Sequence, residues 1–76
     1  MDWTFNQAGQ WTAAHGSWRA IVIRLENRIT WHAYVVNASN PALRYERGGF
    51  SDTPAAQAWC EAEIARLERE AERRYL

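Results

Sequence analysis

A chain of 76 residues is one domain, and at that length folding hides only about 60% of the surface that the unfolded chain exposes. Stability is then marginal unless dense aromatic packing or self-association adds to a small core. Nine Arg and no Lys balance nine acidic residues, and a formal net charge of zero removes the simplest electrostatic case for a nucleic-acid or membrane partner.

The single Cys60 has no internal disulfide partner, and no N-terminal apolar run reaches signal-peptide or transmembrane length, so cytoplasmic residence is the expectation. Asn37, Ala38 and Ser39 match a glycosylation tripeptide, which without a secretory signal carries no weight. Five Trp, three Tyr and two Phe supply large buried area per residue and suit a small core filled efficiently. Charge is unevenly placed: Arg19, Arg24, Arg28, Arg44 and Arg47 leave the first two thirds mildly basic, whereas Glu61, Glu63, Glu68, Glu70 and Glu72 make the last third mildly acidic.

Residues 3–6 form a short strand or terminal arm carrying Trp3 and Phe5. Ala8 and Gly9 signal a turn into a strand over 10–14, and His15 and Gly16 close a hairpin into the next strand, with Gly16 at the left-handed end of a three-residue loop. The following stretch, strands over 17–25 and 29–36, reads WRAIVIRL, ENR, ITWHAYVV: two β-branched and aromatic runs about a polar break, which is a hairpin signal. A three-residue loop at Glu26, Asn27 and Arg28 pairs odd positions with odd. Ile21, Ile23 and Leu25 then share an apolar face with Ile29, Trp31, Ala33 and Val35, and that face is the expected core. Trp18, Ala20, Val22 and Arg24 fall on the reverse face with Thr30, His32, Tyr34 and Val36. A two-residue turn at Asn27 and Arg28 suits Asn at a positive φ but exchanges these partners, so the longer loop is preferred.

Turn formers in NASNP end that strand at Pro41. A charged edge strand over 42–47 follows, then a sharp turn at Gly48 and Gly49 with Phe50 as an apolar plug beside it. Ser51, Asp52 and Thr53 offer N-caps, and Pro54 favours a first-turn position, so a helix is predicted over 54–74. Ala56, Cys60, Ile64, Leu67, Ala71 and Tyr75 form its apolar stripe, with Trp59 at the border. Glu63 with Arg66, Arg66 with Glu70 and Glu70 with Arg74 stand three or four apart and support its exposed side. The expected fold class is therefore α+β: an antiparallel meander of four or five strands packed in two layers on one C-terminal helix.

No constellation of catalytic groups emerges. Cys60 and His32 contain the elements of a thiol and base pair, yet Cys60 lies in the stripe facing the sheet while His32 is assigned to the far side. The favoured zinc ligands His15, His32 and Cys60 lack paired spacing, and Gly48 with Gly49 lacks the later Gly, Lys and Ser or Thr of a phosphate loop. No enzyme activity, metal or cofactor is expected. The surface that stands out is the reverse face of the hairpin, where Trp18, Arg24, His32 and Tyr34 reach solvent if the helix covers one side alone. The competing arrangement folds the N-terminal segment over this face, with Trp3, Phe5 or Trp11 making a second core. Glu61, Glu68 and Glu72 on the helix form a further candidate surface that could mimic a phosphate array for an Arg-rich partner.

From Trp18 to Leu67 the aromatic strand pair, the GGFS turn and the helix TPAAQAWCEAEIARL resemble small phage and prophage proteins of unassigned function, with anti-CRISPR inhibitors among proteins of this size and style. The resemblance is one of pattern and transfers no functional residue. It implies an accessory protein that acts by binding a larger protein or complex, without a chemical step. Two partner classes follow as expectations: a larger protein, with a homodimer as a further state, or single-stranded nucleic acid. In the second, bases stack on Trp11, Trp18 or Tyr34 while Arg19, Arg24, Arg28, Arg44 and Arg47 hold phosphates.

Overall fold

A computed structural model describes residues 1–24 and 29–74. Five antiparallel strands, β1 (Thr4–Phe5), β2 (Gln10–His15), β3 (Trp18–Arg24), β4 (Trp31–Asn37) and β5 (Arg44–Phe50), lie side by side in sequence order, and α1 (Thr53–Arg74) packs on one face of the sheet. This is the two-layer α+β meander that the sequence predicts.

Local chemistry sets each corner. Asn6 Oδ1 accepts hydrogen bonds from the backbone N–H groups of Ala8 and Gln10, both at 3.0 Å, and holds the first turn. His15 pairs directly with Trp18, so the next turn has two residues, Gly16 and Ser17, not three, and Gly16 supplies a φ of 60°. Asn37 Oδ1 accepts from Ser39 N at 2.9 Å and Asn40 N at 3.0 Å, turning the chain out of β4. Asp52 caps α1 by accepting from Ala55 N at 2.8 Å, and the helix begins at Thr53, one residue before the expected start.

The expected loop at Glu26, Asn27 and Arg28, together with Leu25, lies outside the described residues, but the register on either side of it is clear and overturns the odd-with-odd pairing. Ala20 faces Val35, Val22 faces Ala33, and Arg24 faces Trp31. This is the register that the rejected two-residue turn at Asn27 and Arg28 implies. The helix-side layer therefore takes Trp18, Ala20 and Val22 from β3, while Ile21 and Ile23 move to the other face. The assignment of Trp31, Ala33 and Val35 to the core holds. Ile29 lies before β4 and is exposed.

The physical reason is the shape of the helix seat. Ala13, Ala20, Val22, Ala33 and Val35 meet Ala56, Cys60, Ile64 and Leu67, so small groups at the centre let the helix approach the sheet closely. Trp3, Trp11, Trp18, Trp31, Tyr45, Phe50 and Trp59 frame this seat. Aromatic bulk thus lies around the core, and its middle is narrow.

Gly48 and Gly49 do not form a sharp turn after the last strand; they belong to β5, at an irregularity opposite the segment between Trp31 and Ala33. Their roles differ. Gly49 has φ 85°, whereas a Cβ on Gly48 would stand 2.7 Å from His32 Nδ1. Phe50 ends the strand and packs on Trp59 with ring centroids 6.2 Å apart. The helix stripe also ends early: Ala71 is exposed, and Tyr75 lies outside the described residues. A 22-residue helix is about 33 Å long against about 23 Å for a 7-residue strand, so its last turns run past the sheet.

Candidate functional site

Alternation along the strands builds the face opposite the helix. Three cross-strand rows run over it: Ala14, Arg19, Val36 and Arg44; then Thr12, Ile21, Tyr34 and Glu46; then Gln10, Ile23 and His32 beside Gly48. No described element packs on these rows. β1 extends the sheet as a short edge strand, and Trp3 and Trp11 join the helix-side core, so the N-terminal segment makes no second core here.

The middle of the face is apolar and its border polar. Gln10, Ile21, Ile23, Tyr34, Val36 and Arg44 line a shallow hollow of about 280 Å³. The Arg44 guanidinium lies 4.7 Å above the Tyr34 ring and pairs with Glu46 at 3.0 Å. The His32 and Tyr34 rings approach to 4.6 Å. His32 is held from three sides, by Tyr34, by Gly48 and by Glu46, whose Oε1 lies 4.0 Å from Nε2. Nε2 is shielded from solvent and makes no hydrogen bond among the described residues.

The residues singled out from sequence divide accordingly. His32 and Tyr34 lie on the open face, as expected. Trp18 and Arg24 do not: the register turns both to the helix side, where Trp18 packs on the core 6.3 Å from Tyr45 and Arg24 is exposed at the end of β3. Glu61 accepts a hydrogen bond from Trp3 Nε1 at 2.8 Å, and Glu68 stands 3.2 Å from His15 Nε2, so each ties the helix to the N-terminal part of the chain. Glu72 is exposed on the overhanging turns. These carboxylates are distant in the fold from His32 and Tyr34, being across the sheet from them. The sequence reading placed Val36 on this face and named Arg44 as a phosphate contact alone; it put Ile21 and Ile23 in the core, and their place here follows from the corrected register.

Cys60 and His32 are separated by the sheet. The Cys60 thiol is fully buried, points to the Tyr34 carbonyl at 3.8 Å, and is pushed up to about 12 by burial, with Glu61 and Glu63 adding to the effect. Such a thiol stays protonated at neutral pH and is no nucleophile. Among the described residues no group of three or more His, Cys, Asp or Glu side chains could hold a metal ion, and no helix is long and apolar enough to cross a membrane. Set against known proteins, the chain matches no family model, no curated protein and no solved structure.

Proposed function

We propose that the chain is a small non-enzymatic binding protein of the cytoplasm that docks the open face of its sheet on a larger protein and so masks a working surface there. The observation that carries this reading is the uncovered apolar centre of Ile21, Ile23, Tyr34 and Val36. An antiparallel sheet that faces water on one side ordinarily puts polar side chains there. Here aliphatic groups occupy the middle, flanked by Tyr34 and Arg44, residue types that dominate interface energetics. Resemblance to phage-type inhibitors agrees with a protein of this size acting by occlusion.

The test is capture from the native host by the tagged chain and by two variants, Ile23→Arg and Tyr34→Ala, each checked for retained fold by circular dichroism. A partner held by the parent and lost, or weakened about tenfold or more, with both folded variants supports the reading. Equal capture by all three contradicts it. The nucleic-acid alternative has less support on this face, because Trp11, Trp18 and Arg24 lie on the helix side and Arg44 already covers the Tyr34 ring. A labelled oligonucleotide titration at low salt separates the two, since phosphate binding must weaken steeply as salt rises.

A further inference from the structure

We infer that the free protein covers its open sheet face with a second copy of itself, forming a two-fold sandwich of helix, sheet, sheet and helix. The inference concerns the same face as the partner-binding reading but does not depend on it; if both hold, partner and second copy compete.

The pattern of the face fits self-docking. A two-fold axis parallel to the strands and between β3 and β4 brings β3 of one copy over β4 of the other, and β2 over β5. Ile21 then meets the second copy's Tyr34, and Ile23 meets its His32, so the apolar centres coincide. At the border, the uncharged Ala14 and Thr12 of β2 fall opposite Arg44 and Glu46 of β5, and Arg19 of β3 falls opposite Val36 of β4. Arg44 and Glu46 are already paired with each other at 3.0 Å, so two copies meet without opposing like charges. An apolar middle ringed by amide, hydroxyl and charged groups is the usual anatomy of an interface. Strands aligned across the contact, offset by the sheet twist, are one of the two favoured ways for sheets to stack.

Size points the same way. Four paired strands at about 4.8 Å spacing present a face of roughly 400 to 500 Å² per copy, so docking hides on the order of 1,000 Å² in total, at the lower limit for a specific complex. A reversible dimer is therefore expected, not a permanent one. For a domain whose own core is this small, the added burial is also a substantial fraction of what holds it together.

Sedimentation velocity on the full chain from about 1 to 200 µM tests this. The expected result is a shift from the mass of one chain, 8.8 kDa, to twice that value across the range. Ile23→Glu and, as a second variant in case the first misfolds, Tyr34→Arg should remain at the single-chain mass throughout while keeping the parent circular dichroism spectrum. Glu72→Arg, on the exposed part of the helix, should associate as the parent does. A parent that stays at the single-chain mass at 200 µM overturns the inference, as does a dimer that persists in both folded sheet variants. Neither result bears on capture of a larger partner, which is read separately.

Discussion

At the scale of single residues, the contact between His32 and Gly48 is the most demanding in the sheet. Any side chain at position 48 would meet the imidazole at 2.7 Å, so Gly48→Ala must push His32 off Tyr34 or bend β5. The expected cost is about 1 to 3 kcal/mol in denaturant melts, the usual range for overpacking. Removing the obstacle with His32→Ala should restore part of it, and the double variant should be more stable than the two single costs combined would allow. The sequence showed a glycine pair and suggested a turn. It could not show that one glycine is there for its φ and the other for the room it leaves, because the second reason needs a partner from another strand.

Two further residues make separable claims. Asp52→Ala removes the cap on Ala55 N and should cost about 1 kcal/mol, measured in the same melts. The Cys60 thiol is held protonated in the fold to about 12, above its usual value of 9.0, whereas in the unfolded chain it ionises near that usual value. Its contribution to stability is therefore complete below pH about 9 and is lost as pH rises toward about 12. Comparing melts of the parent and Cys60→Ala across that window should show the parent losing more stability with rising pH; parallel curves would contradict the burial of this thiol.

Among the elements, the helix was the most legible in the sequence, because its 3.6-residue stripe and its cap are written locally. Ala56, Cys60, Ile64 and Leu67 are buried as their spacing implies. Ala71, the next member of the stripe, is exposed for a reason the helix sequence does not contain, namely that the sheet beneath is shorter than the helix. Ile64→Ala, at the centre of the seat, should accordingly cost about 2 to 5 kcal/mol, while Ala71→Ser on the exposed turns should change stability by under about 0.5 kcal/mol. The strands were found in the right order, the first as one of two alternatives, but the parity of β3 was not. Counting hydrophobicity favours burying Ile21 and Ile23, whereas the helix needs small residues to sit on, and Ala20 faces Val35 as Val22 faces Ala33. The recurrence of Ala13, Ala20 and Ala33 with Trp11, Trp18 and Trp31 on the same face was the available signal.

For the whole molecule, that one-residue difference decides which side chains await a partner. In the expected register Trp18 would have been exposed and the isoleucines hidden; in the observed one Trp18 frames the core and Ile21, Ile23, Tyr34 and Val36 form the open face. His32 and Tyr34 could be read from sequence because they lie on β4, whose parity was right. Val36 shares that strand and was assigned with them, whereas the place of Ile21 and Ile23 depended on strand pairing across a loop and was not locally encoded.

The sheet has one covered and one uncovered face, and neighbouring residues of β3 test that difference most directly. Thermal unfolding followed by far-ultraviolet circular dichroism, at low micromolar concentration to keep the chain single, should be measured for Val22→Asp and Ile23→Asp. Val22 is fully buried under the helix, so an unpaired carboxylate there should leave the chain unfolded or lower its Tm by more than about 15 °C. Ile23→Asp should fold and melt within about 5 °C of the parent, since its side chain enters no described layer. A folded Val22→Asp beside an unfolded Ile23→Asp would contradict the register and, with it, the binding face.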